Sequence, residues 1–263
     1  MTKSEDGIVV TDNFIAVIDG STSKTERRYH RRMSNGRYAM TIISDFIRHM
    51  PSNISCQQFC ITVSSIIRKH YLPFWRINKE ATINRLINHP EERLCASTAL
   101  YSRFRREIWL VGDCQCMIGG QIYNNPKAYE DTLAQQRAKK AIELLENGMT
   151  VNDLLTKDVA RHSIIPQMLE NMKGQNQSYA VIDGFPIPRQ HVPIITLDFQ
   201  PWEIILATDG YPFLCTTLKE SEQLLLQQHD KDPLNIGLFK ATKGFMNNNN
   251  SFDDRAFIRF LSE

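Results

Sequence analysis

The sequence predicts an α+β fold in which two mainly antiparallel sheets are covered by helices. Apolar segments with strand character occur in hairpin-like groups, and amphipathic helical segments follow one another without an intervening strand. Strands and helices do not alternate regularly, as they would in a doubly wound parallel sheet. These observations together favour antiparallel sheets with helices packed on their faces.

The N-terminal part of the chain predicts two strands followed by two helices. Apolar residues run through 7–10 and 13–18, which we expect to be buried strands. Apolar residues at helical spacing follow over 38–50, where Pro51 ends the pattern, and again over 57–70. This part therefore predicts a strand pair covered by two consecutive helices.

The rest of the chain adds strands, two clear helices and a less regular segment. Helices are predicted over 128–146 and 218–228. Short helical pieces among polar residues indicate a flap or insertion at about 150–177. Further strands are predicted over 95–102, 107–111, 115–118, 179–182, 193–199, 203–207 and 255–261.

Length and composition indicate one domain and argue against some partners. With 263 residues, 42% of them hydrophobic, residues 1–263 can bury one sizeable core. A formal net charge of +2 gives no electrostatic reason to expect binding to nucleic acid or to an anionic membrane surface. No apolar run approaches the roughly 20 residues that span a bilayer. We therefore expect neither nucleic acid nor a membrane as a partner.

Cysteine usage and the N-terminus indicate a reducing compartment. The six cysteines have no spacing typical of a disulfide framework, and most lie in apolar stretches. The first six residues are polar and lack the apolar stretch of a signal peptide. We therefore expect a cytoplasmic protein with reduced thiols.

Five aspartates lie at the ends of predicted strands. Asp19, Asp113 and Asp209 each follow an apolar strand, whereas Asp6 precedes the first strand and Asp253 precedes the last. Carboxylates that converge at strand ends repel one another unless a cation neutralises them. Hard oxygen ligands of this kind suit Mg²⁺ or Mn²⁺. The pattern therefore predicts a divalent-metal site.

Glycine follows several of these aspartates. Gly20 is expected to let the backbone turn sharply, so that its carbonyl can reach a metal. An Asp-Gly pair after a strand is also common in ordinary turns. Asp183-Gly184 is interpreted as such a turn, without a role in metal binding.

Six short motifs occur in a fixed order along almost the whole chain. They are Ser-Glu-Asp at 4–6, Phe-Ile-Ala-Val-Ile-Asp-Gly at 14–20, Ser-Thr-Ala at 97–99, Val-Gly-Asp at 111–113, Ile-Leu-Ala-Thr-Asp-Gly at 205–210 and Asp-Asp at 253–254. This series resembles the signature of type-2C serine/threonine protein phosphatases, in the divergent form of bacterial members. The resemblance implies a four-layer α-β-β-α sandwich with the metal site at one edge of the paired sheets.

The resemblance also implies a role for most of the acidic positions. Asp19 would bridge two Mg²⁺ or Mn²⁺ ions, and the Gly20 carbonyl would bind one of them. Asp209 and Asp253 would complete the shell of the other ion.

Two further aspartates and the reaction follow from the same resemblance. Asp6 would bind through ordered water, and Asp113 would help to hold a third, weaker ion. The implied reaction is attack of a metal-bridging water on phosphoserine or phosphothreonine in a protein, or on a small phosphomonoester, without a covalent phosphoenzyme.

The sequence departs from the family at the position that grips the substrate phosphate. Family members usually carry an arginine a few residues before the first acidic pair, and that place falls at or beyond Met1 here. Lys3 is one candidate to replace it. The cluster that contains Arg27, Arg28 and Arg31 is another.

Two alternatives remain open from the sequence. Ser21 stands where eukaryotic members carry a histidine, and together with the missing arginine it favours an inactive pseudophosphatase with a regulatory or interaction role. An N-terminal nucleophile hydrolase would also stack two sheets between helices, and removal of Met1 would expose Thr2 as its nucleophile.

Overall fold

The computed structural model describes residues 4–71, 78–247, 249 and 251–262, and the chain divides into two compact units. The first unit comprises Met1–Asn125, Met172–Asp209 and Arg255–Glu263, and the second comprises Pro126–Asn171 and Gly210–Asp254. Each unit is thus built from separate parts of the chain. The assignment of residues 1–263 to one domain stays a prediction.

The first unit contains two sheets in which neighbouring strands are antiparallel. The five-stranded sheet has the order β1-β2-β3-β4-β7, with β1 at Gly7–Val10, β2 at Phe14–Gly20, β3 at Ala96–Ser102, β4 at Glu107–Val111 and β7 at Ile194–Thr196. The four-stranded sheet has the order β6-β5-β8-β9, with β5 at Gln115–Ile118, β6 at Gln121–Tyr123, β8 at Glu203–Ala207 and β9 at Phe257–Leu261. The predicted α+β class with antiparallel sheets is confirmed.

Strand β2 shows how the two faces of the first sheet are used. Ile15 and Val17 pack with Leu206 in the core between the two sheets. Phe14 and Ile18 belong to the other core, which lies between the sheet and the helices. Because side chains alternate along a strand, one apolar run can serve both cores. This explains why β2 reads as a continuous apolar segment.

Three helices lie in the first unit: α1 at Asn35–His49, α2 at Cys56–Lys69 and α3 at Lys79–Asn88. Ile43 of α1 and Val63 of α2 are fully buried in the same core as Ile18. The unit therefore contains three of the four predicted layers: helices, first sheet and second sheet.

The second unit is helical and is organised around a buried ion pair. Arg137 is 1% exposed, and its guanidinium donates two hydrogen bonds to the Asp158 carboxylate. It also donates to the carbonyl oxygens of Leu234 and Ala241. The helices of this unit are α4 at Glu130–Glu146, α5 at Val151–Thr156, α6 at Val159–Met172 (all but its last residue) and α7 at Leu218–Lys231.

Some predicted elements are wrong or were missed. The predicted strand over 179–182 is wrong, because this segment forms only two isolated bridges, Ile182 with Ala96 and Tyr179 with Gln175. The Val181 N–H is bonded to the side-chain oxygen of Asn176 and not to a further strand. Helix α3 was not predicted, since its buried residues are few and its start depends on a side-chain cap.

No helix within the described ranges is long and apolar enough to cross a membrane.

Candidate metal centre

Asp19 is fixed by its place in the central part of the first sheet. Strand β2 is paired on both sides, and Asp19 lies opposite Ser97 of β3. Its side chain continues the face of Ile15 and Val17, because residues two apart point the same way. The carboxylate therefore lies at the rim of the core between the two sheets, where it is half-buried.

Asp113 lies in the short connection from the first sheet to the second. Gly112 before it has a φ of +89°, and a Cβ there would lie 2.2 Å from the Ser97 Oγ. The Ser97 hydroxyl donates a hydrogen bond of 2.5 Å to Asp113 Oδ1. Asp113 is 8% exposed, so its carboxylate is held in a buried and defined position.

Asp209 reaches the same edge from the second sheet. Gln115 of β5 pairs with Ala207 of β8, so Asp113 before β5 and Asp209 after β8 lie at the same end of that pair. Thr208 anchors this end, because its Oγ1 accepts a 2.8 Å hydrogen bond from the Ala256 N–H. Unlike Asp113, Asp209 is exposed to solvent.

The three carboxylates form a group that fits a divalent cation. One oxygen each of Asp19, Asp113 and Asp209 lies within 4.8 Å of the others. The group holds three negative charges, which repel one another unless they are neutralised or protonated. Oxygen-only donors with solvent access on one side suit Mg²⁺ or Mn²⁺, which retain several waters. The residues present therefore fit the predicted metal.

The charge of this group acts on the neighbouring thiol of Cys114. Burial, and after it the negative charges of Asp19, Asp113, Asp209 and Asp6, raise the pKa of Cys114 well above its ordinary value. A buried, protonated thiol is a poor nucleophile. The shift also indicates that Asp6 contributes to the same negative potential.

Gly20 serves a different purpose from the one predicted. It remains in β2 opposite Ala96, so the expected sharp turn at this residue is wrong. A Cβ on Gly20 would lie 2.3 Å from the Gly36 carbonyl oxygen and 2.7 Å from that of Glu5. The glycine is needed because the start of α1 and the acidic segment, residues 4–6, both approach the backbone of β2 closely. Whether the Gly20 carbonyl binds a metal stays a prediction.

Asp253 lies in the second unit. Its carboxylate forms an ion pair with the Lys243 ammonium, and both side chains are about one quarter exposed. Its predicted role as a metal ligand stays a prediction.

The predicted phosphate contacts differ in what surrounds them. Arg27 donates to Glu92 Oε2 at 2.7 Å, so its charge is already compensated. Arg28 is exposed and donates to backbone carbonyls of its own loop, and Arg31 is exposed. Lys3, and Thr2 of the alternative hydrolase, lie outside the described residues.

Three residues of the first unit received no individual role from the sequence, although Ser97 and Glu5 lie within its motifs. Ser97 orients Asp113. It lies in the Ser-Thr-Ala motif at 97–99, but its role depends on the strand register that places it opposite Asp19. Glu5 is buried and accepts a 2.7 Å hydrogen bond from the Thr22 hydroxyl. Arg37 on α1 approaches the Ser4 carbonyl oxygen at 3.4 Å, and no local motif indicates this.

No protein-family model matches the chain, and no curated protein matches it. Among solved structures, the fold is similar to the serine/threonine phosphatase of S. agalactiae, with 12% identity, a TM-score of 0.46 and coverage of 99% of this chain and 93% of that chain. It is similar to the serine/threonine phosphatase of Staphylococcus aureus, with 14% identity, a TM-score of 0.41 and coverage of 100% and 90%. The catalytic domain of the phosphatase PstP, solved with two manganese ions, has 11% identity, a TM-score of 0.38 and coverage of 86% and 79%.

Proposed function

We propose that this protein is a hydrolase of phosphate monoesters that depends on Mg²⁺ or Mn²⁺. The observation that supports it is the convergence of Asp19, Asp113 and Asp209, which are distant in sequence and whose carboxylate oxygens lie within 4.8 Å of one another. The motifs that resemble type-2C phosphatases include these same three residues. As finer proposals, the substrate is phosphoserine or phosphothreonine in a protein, or a small phosphoester, and the protein acts in the cytoplasm.

The residues of the chain have distinct proposed tasks. Divalent cations, when bound, would make water more acidic and offset the charge of the phosphoryl oxygens. Asp19 offers its carboxylate from the paired strand β2, and Ser97 keeps the Asp113 carboxylate oriented. From the sequence, Gly20, Asp6 and Asp253 are proposed as additional ligands for two or three ions.

Substitution of Asp19 tests this function. In Asp19→Asn, hydrolysis of p-nitrophenyl phosphate in the presence of Mn²⁺ should fall at least about 100-fold, because the variant loses a ligand charge at the centre. Asp12→Asn, an exposed residue in the turn before β2, is the matched control and should keep full activity. Activity that survives Asp19→Asn, or that persists in EDTA, contradicts the proposal.

Arg37 is proposed as a contact for the substrate phosphate, beside Lys3, Arg28 and Arg31. It follows Gly36, whose backbone packs on Gly20, and it lies next to Ser4 of the acidic segment. An arginine there can donate two parallel hydrogen bonds to a phosphate.

Arg37→Gln should therefore lower kcat/KM for p-nitrophenyl phosphate about tenfold or more, since a charged hydrogen bond is lost. Arg48→Gln, an exposed arginine of the same helix, should leave kcat/KM unchanged. If the two variants have the same kcat/KM, Arg37 does not contact the substrate phosphate.

A metal-binding module without turnover is the second candidate. It is favoured by the ion pair of Arg27 with Glu92, which occupies one predicted phosphate contact. Calorimetric titration with Mn²⁺, followed by the phosphatase assay on the same sample, separates the two candidates. Binding without turnover supports the module, and binding with turnover supports the hydrolase.

A further inference from the structure

A cavity of about 370 Å³ lies between α2 and the segment 184–189 of the first unit. This volume is within the range of roughly 300–1,000 Å³ that is typical of small-molecule sites. One wall is a single face of α2, since Ile61, Ser64 and Arg68 follow one another at helical spacings of three and four. The opposite wall includes Pro186 and Arg189.

The loop wall is held in place by the residues before it. Asp183 is fully buried, and its carboxylate accepts hydrogen bonds from Arg93 Nη1 at 2.7 Å and from Asn176 Nδ2 at 2.7 Å. The same carboxylate accepts the Phe185 N–H at 2.9 Å, and the Tyr71 hydroxyl donates to the Asp183 carbonyl at 2.5 Å. Asp183 thus has the structural role that its Asp-Gly turn predicts, and the cavity is pre-formed.

Two arginines contribute positive charge to the cavity. Arg68 donates from Nε to the Gly184 carbonyl at 2.7 Å, and its guanidinium lies 4.8 Å from the centre of the Phe185 ring. Arg189 donates from Nη1 to the Val192 carbonyl at 2.8 Å. Within the described part of the chain, neither arginine pairs with a carboxylate, and their remaining N–H groups have no protein acceptor. The residues that line the cavity include no acidic side chain.

Ser64 forms part of the α2 wall of the cavity. Its side chain is 6% exposed and lines the cavity, and its Oγ has no hydrogen-bond partner among the residues that the structure describes. Buried hydroxyl groups without a partner are rare in folded proteins, because the lost hydration is not replaced. Because the Oγ has almost no accessible surface, this hydroxyl lies beneath the cavity wall and is not itself a ligand contact.

We propose that this cavity binds a small organic anion, whose carboxylate, phosphate or phosphonate group contacts Arg68 and Arg189. The apolar body of the ligand packs against Ile61 and Pro186. Arginine guanidinium groups favour such anions because they donate charge-assisted hydrogen bonds in a planar fork. The site uses none of the residues proposed for phosphate-ester hydrolysis, and it stands independently of that activity.

Calorimetric titration of the full chain tests the site with three probes: hexanoate, phenylphosphonate and 1-hexanol. At least one of the two anions should bind at a single saturable site, at least tenfold more tightly than the uncharged alcohol. Comparison of the two anions distinguishes a carboxylate site from a phosphonate-type site. Failure of both anions to saturate, or equally tight binding of 1-hexanol, overturns the proposal.

Variants locate the binding within the molecule. Arg189→Gln should weaken the anion at least fivefold, and Ile61→Trp should abolish binding because an indole at this exposed position fills the cavity. The matched controls are Arg48→Gln on α1 and Ile87→Trp at an exposed position of α3, and both should bind as the unaltered protein does. Anion binding that persists in both cavity variants rejects this site.

Discussion

Gly112 links the backbone to the proposed chemistry at the scale of a single residue. Its φ of +89° lies in a region that residues with a Cβ rarely adopt, and a Cβ would collide with the Ser97 Oγ. That hydroxyl is the donor to Asp113, so a side chain at 112 would displace the group that orients the carboxylate. Backbone conformation and carboxylate position are therefore coupled here.

Gly112→Ala should lower the free energy of unfolding by about 2–4 kcal/mol, because strain and collision add together. Gly120→Ala is the matched control. Gly120 has a φ of +86°, but a Cβ added there would meet no atom within 4 Å, so this variant should lose only about 1 kcal/mol. Urea unfolding measures both values. Equal losses in the two variants would show that the contact with Ser97 does not matter.

At the scale of elements, the site depends on how α1 meets β2. Gly20 and Gly36 bring the two backbones so close that a Cβ on either glycine would lie within 2.5 Å of the other residue's carbonyl oxygen. The same approach places the backbone of Glu5 beside the end of β2. The close approach of Gly20 and Gly36 therefore positions α1 against β2, and Gly20 also leaves room for the acidic segment.

The helices of the second unit depend on Arg137 in a comparable way. Arg137→Met should lower the free energy of unfolding by about 3–5 kcal/mol, because the buried Asp158 carboxylate loses its partner. Lys140→Met, in an exposed pair with Glu143 on the same helix, should change it by less than about 1 kcal/mol. Thermal or urea unfolding provides the comparison. A loss of less than about 1 kcal/mol in Arg137→Met would contradict the importance of the buried pair.

At the scale of the whole molecule, much of the fold could be predicted from local patterns. The bounds of β1, β4, β5 and β8 agree with their predicted ranges, because each apolar run is followed directly by a glycine or a threonine. Helix α3 could not be predicted in the same way, since Thr82 and Leu86 are its buried residues and periodicity needs more. Local sequence patterns therefore predict an element where most of its residues are buried, and they fail where only a few are.

The candidate site could be predicted only in part, for a related reason. The positions of Asp19, Asp113 and Asp209 at strand ends, and the order of the motifs, were enough to predict that these three residues lie together. Ser97 and Arg37 act through partners that are distant in sequence, so their roles depend on strand register and helix packing. Information of that kind is not contained in the spacing of neighbouring residues.

The central claim is that the three aspartates share a divalent cation. The most direct measurement is a crystal structure grown with Mn²⁺, with anomalous diffraction recorded at the manganese absorption edge. We expect an anomalous peak within about 2–2.5 Å of a carboxylate oxygen of Asp19, with Asp113 or Asp209 completing the protein ligands. A folded, Mn²⁺-saturated crystal with no peak near Asp19 would contradict the claim.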